Sequence, residues 1–330
     1  MRCRGSWALP PGDRRDVRTA YRKPVPQVAV MSDGMLHVDP EFEVRIKRHE
    51  PMSRHTSWHV GGPADVFFSP RDRADLLAFL VSLPEGTPLL WLGLGSNLLV
   101  RDGGFRGVVI DTTGLARLER ADDTVITCEA GVLCARIARQ CIKWGLAPAE
   151  FLAGIPGTLG GALAMNAGAF GGETWPRVRS VDVTDARGVD RRRDAREYTY
   201  GYRHIVPPVA GEYFLAATLE FESRPGITED AMRELLAKRK ETQPIGEWSC
   251  GSTFTNPPGD HAARLIEAAG LKGHRIGDIM VSPKHANFLV NVGNATAHDV
   301  EALVAFIQVR VREKSDVSLT PEFRTAGEAR

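Results

Sequence analysis

A chain of 330 residues with 42 Lys and Arg against 41 Asp and Glu has a formal charge of +1, so charge gives no reason to expect nucleic acid or an anionic membrane surface as a partner. Its 43% hydrophobic and 25% charged content is that of a globular protein with room for two or three cores. No apolar run approaches the roughly 20 residues of a spanning helix, and the five scattered cysteines form no CxxC pair, which argues against zinc or a dithiol site and for free thiols in a reducing cytoplasm.

Residues 1–41 form an Arg-rich stretch with Pro10-Pro11 and almost no apolar period. It lacks the continuous apolar segment of a secretory signal. It reads as a disordered extension, or as sequence preceding a true start at Met31 or Met35. The globular pattern begins at Phe42. Ala64–Ser69 predicts a strand, Asp72 introduces a helix over 73–83, and Pro88–Leu92 predicts a buried strand running into Gly93-Leu94-Gly95-Ser96-Asn97. Leu98–Val100 and Gly107–Asp111 predict further strands, which makes this part a small β–α–β unit. Val125–Glu129 predicts a strand, and Leu133–Trp144 a helix with Ile137, Cys141 and Ile142 on its apolar face.

Residues 154–172, GIPGTLGGALAMNAGAFGG, are the most informative segment. Seven of the nineteen positions are glycine, too little bulk to build much core. Such a loop lets backbone N–H groups approach a phosphate closely. A single glycine-rich loop is more often a tight turn than a ligand site, but Gly93–Asn97 is a second one in the same chain. Together they point to a large phosphate-bearing cofactor. Neither the GxGxxG pattern nor the P-loop pattern is present, so the dinucleotide fold and the NTPase fold are disfavoured.

Beyond this segment, Val178–Thr184, Gly201–Tyr202 and Tyr213–Phe221 predict strands of an antiparallel sheet, with Asp185–Gly188 as a hairpin turn. Arg224-Pro225-Gly226 marks a boundary. Helices are predicted over 228–240, ending at Gln243-Pro244, over 262–269, closed by Gly270, and over 298–314, capped by Thr296. Phe288–Asn291 predicts a strand. The class is α+β, with units over 42–112, 113–224 and 225–330.

Three segments could carry chemistry: Tyr202-Arg203 at a strand end, Gly251-Ser252 in a turn-rich stretch, and Pro321-Glu322 near the C-terminus. Each alone is more often a surface charge or a simple turn, and Ser252 lacks a nucleophile-elbow context. Taken together with His55-Thr56, Val60–Ala64, Leu92–Asn97, Gly154–Gly157, Met165–Ala169, Phe254, Asn256-Pro257 and Lys284–Phe288, they resemble the UDP-N-acetylenolpyruvoylglucosamine reductase family over about residues 54 to 327.

The resemblance implies an FAD-binding fold of the vanillyl-alcohol-oxidase or p-cresol-methylhydroxylase type. Two α+β subdomains would hold non-covalent FAD, and a C-terminal α+β lobe would cover the substrate. The short interval between Arg203 and Ser252 is similar to the family's compact second type. The implied reaction passes a hydride from NADPH by way of FAD to C3 of the enolpyruvyl ether of a UDP-sugar. Residues Gly93, Leu94, Gly95, Ser96, Asn97, Gly154, Ile155, Pro156, Gly157, Gly161, Asn166, Gly168 and Ala169 would hold FAD. Arg203 would stabilise charge developing towards the substrate carboxylate, Glu322 would polarise the substrate or relay protons, and Ser252 would protonate C2. Tyr202, Arg239, Asn256, Lys284 and Asn287 would contact the substrate.

Ile205 and Thr255 depart from residues common in the family. No metal and no obligate protein partner are expected. The rivals are an FAD-dependent alcohol or sugar oxidase of the same superfamily and a non-catalytic flavin carrier.

Overall fold

The computed structural model describes residues 38–330, so nearly all of the expected extension lies outside the described residues. Asp39 caps a short 3-10 helix, Pro40–Arg45, and buried Phe42 meets the rings of Phe68 and Phe79 edge-on at 5.9 and 5.2 Å.

The first sheet has the order 46–51, 63–68, 105–111, 89–92. Its outer pair is antiparallel and the rest parallel. Helix α1 (Arg73–Ser82) packs against it through Leu76, Phe79 and Leu80, and the Asp72 carboxylate accepts from the Asp75 N–H as the N-cap. The Leu89–Leu92 strand differs from the buried strand expected. Only Leu92 is buried, and all four residues line a cavity.

The second sheet is antiparallel, in the order 190–194, 178–184, 213–220, 125–129, 118–120. Its hairpin turn is held by the Asp185 carboxylate, which accepts from the N–H groups of Arg187 and Val189. The outer strand, Asp190–Asp194, has no hydrophobic residue and was not anticipated. It is held by hydrogen bonds such as those from Arg192 to Ser180 and Thr218. Helix α2 (Cys134–Lys143) buries Ile137, Ala138 and Cys141 against this sheet.

The glycine-rich segment is more structured than composition implied. It contains helix α3 (Leu159–Met165), whose Leu159, Ala162 and Leu163 are fully in the core. Asn166, in the left-handed region at φ 47°, ends that helix. A small hairpin of Gly168–Ala169 with Gly172–Glu173 follows. The expected strand at 201–202 is a tight hairpin, Thr199–Gly201 against His204–Val206, with Tyr202 and Arg203 at its turn.

Helix α4 (Asp230–Thr242) begins two residues later than predicted, and its buried Met232 joins the core of the second sheet. The third sheet, in the order 248–252, 288–291, 279–281, 275–276, is flanked by α5 (Ala262–Ala268) and α6 (Ala297–Ser315). Thr296 and Asp299 form a capping box on α6.

Two long-range crossings tie this lobe to the first unit. Trp58 is fully buried in the lobe, donating from Nε1 to the Leu289 carbonyl at 2.8 Å and accepting from the Asn291 amide at 2.8 Å. Arg324–Ala326 pairs in parallel with Leu98–Val100.

Candidate active site

A cavity of about 860 Å³ opens between the glycine segments and the C-terminal strand. Gly93, Leu94, Gly95, Ser96 and Asn97 line one side, and Gly154, Ile155, Pro156, Gly157, Gly161, Gly168 and Ala169 another. Arg203, Arg239, Ser252 and Glu322 reach the same space. Three chain segments far apart in sequence thus bring the proposed catalytic groups to one cavity.

Arg203 sits at φ 54°, a costly conformation for a residue with a Cβ. It is held there by two bonds, Nε to Glu322 Oε1 at 2.8 Å and Nη2 to the Gly168 carbonyl at 3.0 Å. The pair is largely shielded, with side chains 20% and 11% exposed. Burial pushes the Glu322 carboxyl above its ordinary range, and the Arg203 guanidinium opposes that only in part. Glu322 is fixed through its backbone as well: its N–H donates to the Thr253 carbonyl at 2.8 Å.

Thr253 follows Ser252 directly. The strand carrying Ser252 is bulged. Ser249 pairs with Val290 and Ser252 with Phe288, so one extra residue is accommodated there, and Gly251 adopts φ 73°. The bulge puts Gly251 and Ser252 together on the cavity wall.

Other expected site residues stand elsewhere. Asn166 is fully buried behind the wall, and its amide bonds Glu173, Gly201 and Trp175. Asn287 brackets Phe254, accepting from its N–H at 3.0 Å and donating to its carbonyl at 2.8 Å. Asn256 accepts from the Ala262 N–H at the start of α5. Lys284 donates to the Lys240 carbonyl, and Tyr202 is 53% exposed under the Arg203 guanidinium. None of these five lines the cavity. Arg239 does. It donates to Gln243 at 2.7 Å and to the Gly154 carbonyl, and burial lowers its pKa.

Trp91, Thr158, Tyr198, Tyr213 and Gln243 also line the cavity and were not anticipated. Trp91 stacks on Tyr213 with centroids 4.6 Å apart. The only signal for Trp91 was its place in the strand leading into Gly93. Tyr198 and Tyr213 carried none.

The donor set suits a large flavin nucleotide. Trp91 Nε1, Thr158 Oγ1 and Tyr198 Oη are buried without a hydrogen-bond partner. A Cβ added at Gly161 would meet no atom within 4 Å, so that face is open to a ligand. Among the described residues no cluster of His, Cys, Asp and Glu could hold a metal. The four described cysteines are buried and unbridged, and burial pushes Cys134, Cys141 and Cys250 up to about 12.

Residues 243–326 match the family model described as "UDP-N-acetylenolpyruvoylglucosamine reductase, C-terminal domain", and residues 64–191 match "FAD binding domain". A reductase of that name from Alkalilimnicola ehrlichii is 56% identical over 285 residues, covering 86% of this chain and 95% of the relative. The chain belongs to the UDP-N-acetylenolpyruvoylglucosamine reductase family.

A second family member, from Methylococcus capsulatus, is 53% identical over 85% of this chain and 93% of its own length. The crystal structure of the reductase from Thermus caldophilus covers 88% of this chain and 100% of its own at 33% identity, with a TM-score of 0.71. The mixed helix and strand architecture and the FAD-binding domain accord with the FAD-binding α+β fold of the family. The two family models include both glycine walls, Ser252 and Glu322; Arg203 and α4 lie between them.

Proposed function

We propose that this protein reduces the enolpyruvyl ether of UDP-N-acetylenolpyruvoylglucosamine to UDP-N-acetylmuramate with NADPH and FAD, a step in peptidoglycan precursor synthesis. The observation that carries the reading is the shielded Arg203–Glu322 pair on a cavity that Ser252 and both glycine segments also line. When bound, FAD supplies the hydride relay between NADPH and C3 of the enolpyruvyl group.

The chain's own residues handle charge and protons. Arg203 is permanently cationic and planar, suited to a carboxylate on which negative charge accumulates. Its Nη1 bonds none of the described residues, while Nε and Nη2 are held by Glu322 and Gly168. Glu322 keeps the guanidinium aimed, and its raised pKa lets it retain a proton closer to neutrality than a solvated carboxyl would. Ser252 donates the proton to C2. Leu94, Ser96, Ile155, Pro156 and Ala169 join the glycines around FAD, with Asn166 supporting that wall from behind. The exposed Tyr202 and the basic Arg239 and Lys284 stand towards the nucleotide side of the substrate, with Asn256 and Asn287 shaping the lobe beneath. We place the division into units near 112 and 224, and the protein in the cytoplasm. The buried free thiols support that location, and among the described residues no helix is long and apolar enough to cross a membrane.

The test follows the visible spectrum of the purified protein. NADPH should bleach the flavin band, and the enolpyruvyl nucleotide should restore it without oxygen. Ser252→Ala should leave bleaching intact and slow restoration by about 10²–10⁴-fold. Restoration at the parental rate would remove Ser252 from the mechanism. Rapid oxygen consumption with a sugar, and no response to the nucleotide, would replace the reading with an oxidase.

A further inference from the structure

Asn97 was expected to serve the cofactor, as part of the loop Gly93–Asn97. Its side chain is engaged elsewhere. Asn97 Nδ2 donates to the backbone carbonyl of Glu322 at 3.2 Å and lies 3.3 Å from Met165 Sδ. The Asn97 carbonyl accepts from the Arg324 N–H at 3.0 Å. Asn97 therefore grips the C-terminal segment on both sides of Phe323, just before the parallel pairing of Leu98–Val100 with Arg324–Ala326 begins.

The peptide groups around Glu322 are pinned from opposite directions. Its N–H goes to Thr253, beside Ser252, and its carbonyl goes to Asn97, at the end of the cofactor loop. We infer that Asn97 is a positioning residue for Glu322: it sets where the carboxylate stands relative to Arg203 and the cofactor loop. This rests on the reductase reading given above. The physical reason is directional. A side-chain amide donating to a carbonyl in a shielded site fixes the peptide plane, and the Cα–Cβ bond of Glu322 follows that plane. Arg203 alone cannot do this, because it bonds the carboxylate and not the Glu322 peptide, and is itself tied to the Gly168 carbonyl.

The consequence for proton chemistry has a defined sign. Burial raises the Glu322 carboxyl and Arg203 is the charged group that lowers it. Loosening Glu322 from Arg203 leaves burial less opposed, so the Glu322 titration should move to higher pH.

The test uses full-length, FAD-loaded protein carrying Asn97→Asp, which keeps the volume and removes the donor, and Asn97→Ser, which shortens the side chain. Flavin affinity, measured by quenching of free FAD fluorescence, and bleaching by NADPH are read first, so that restoration is compared in the loaded fraction. Restoration by the enolpyruvyl nucleotide should slow by about tenfold to hundredfold, the effect of misplacing a reacting group by a fraction of an ångström to 1 Å. The limb of the pH–rate profile that disappears in Glu322→Gln should shift upward in both variants. Loss of flavin with parental restoration in the loaded fraction would make Asn97 a cofactor residue and overturn the inference, as would parental restoration with an unmoved limb. A parent protein that the nucleotide does not reoxidise would sink the functional reading instead, so the two failures are told apart.

Discussion

The two glycine segments look alike in composition and are glycine-rich for different reasons. In the first, an added Cβ at Gly95 would lie 2.0 Å from the His55 carbonyl oxygen, and one at Gly93 would lie 2.4 Å from Thr158 Oγ1. Gly95 also has φ 61°, and its carbonyl accepts from the Ser57 N–H. The protein's own packing requires glycine there, with or without a ligand. In the second segment, a Cβ at Gly157 would meet only Ser96 Oγ at 3.2 Å, and one at Gly161 nothing within 4 Å. Those two positions border the cavity, and the protein leaves the space open. The same segment also holds packing glycines: a Cβ at Gly172 would lie 2.6 Å from the Phe151 ring. A glycine count therefore cannot separate backbone that is crowded by protein from backbone that is bare for a ligand.

This difference sets the sign and size of substitutions. Gly95→Ala meets both a backbone clash and a left-handed φ, and should cost more than about 4 kcal/mol. The expected result is little soluble protein, even with FAD added; a well-folded, flavin-binding variant would show that the His55 loop yields easily. Gly157→Val should fold, because its neighbour is a movable serine hydroxyl, yet it crowds the cavity. FAD affinity should weaken by about tenfold to hundredfold, the equivalent of overpacking by about 1–3 kcal/mol. Unchanged flavin affinity in folded Gly157→Val would move this position from the ligand group to the packing group.

Smaller effects sharpen the line further. Gly93→Ala strikes a side chain rather than backbone, so it should cost about 1–2 kcal/mol of stability. Thr158→Ala in the same chain should recover part of that loss, a coupling that a double-mutant cycle of urea unfolding would read. Simple additivity would mean that the strain lies elsewhere. Gly161→Ala is the mildest and has the opposite sign for the apoprotein. It lies inside α3, where alanine favours the helix by up to about 1 kcal/mol. Flavin-free protein should melt slightly higher, while FAD affinity should fall. A lower melting point would contradict the open space seen at that position.

The local elements were legible because their signals are local. Asp72 and Thr296 cap the helices they were expected to cap, Gly270 follows the end of α5, and Phe288–Asn291 is a strand over its predicted span. Helix α3 escaped because Leu159, Ala162 and Leu163 carry a helical period among glycines that disfavour a helix; burial against the second sheet outweighs that preference. The Asp190–Asp194 strand escaped because an all-charged edge has no apolar alternation to read.

The sequence by itself determined the α+β class, the two glycine segments, the family resemblance and the three segments that meet at the cavity. Only the tertiary structure decided which side chains face that cavity and which stand behind it. Asn166, Asn256 and Asn287 turn their amides to backbone groups, Asn97 holds Glu322, and Trp58 from the first unit completes the core of the C-terminal lobe. An asparagine's local sequence is the same whether its amide meets a ligand or a distant carbonyl. The partner is set by which chain segments pack alongside it, and here Asn97 and Glu322 lie 225 positions apart.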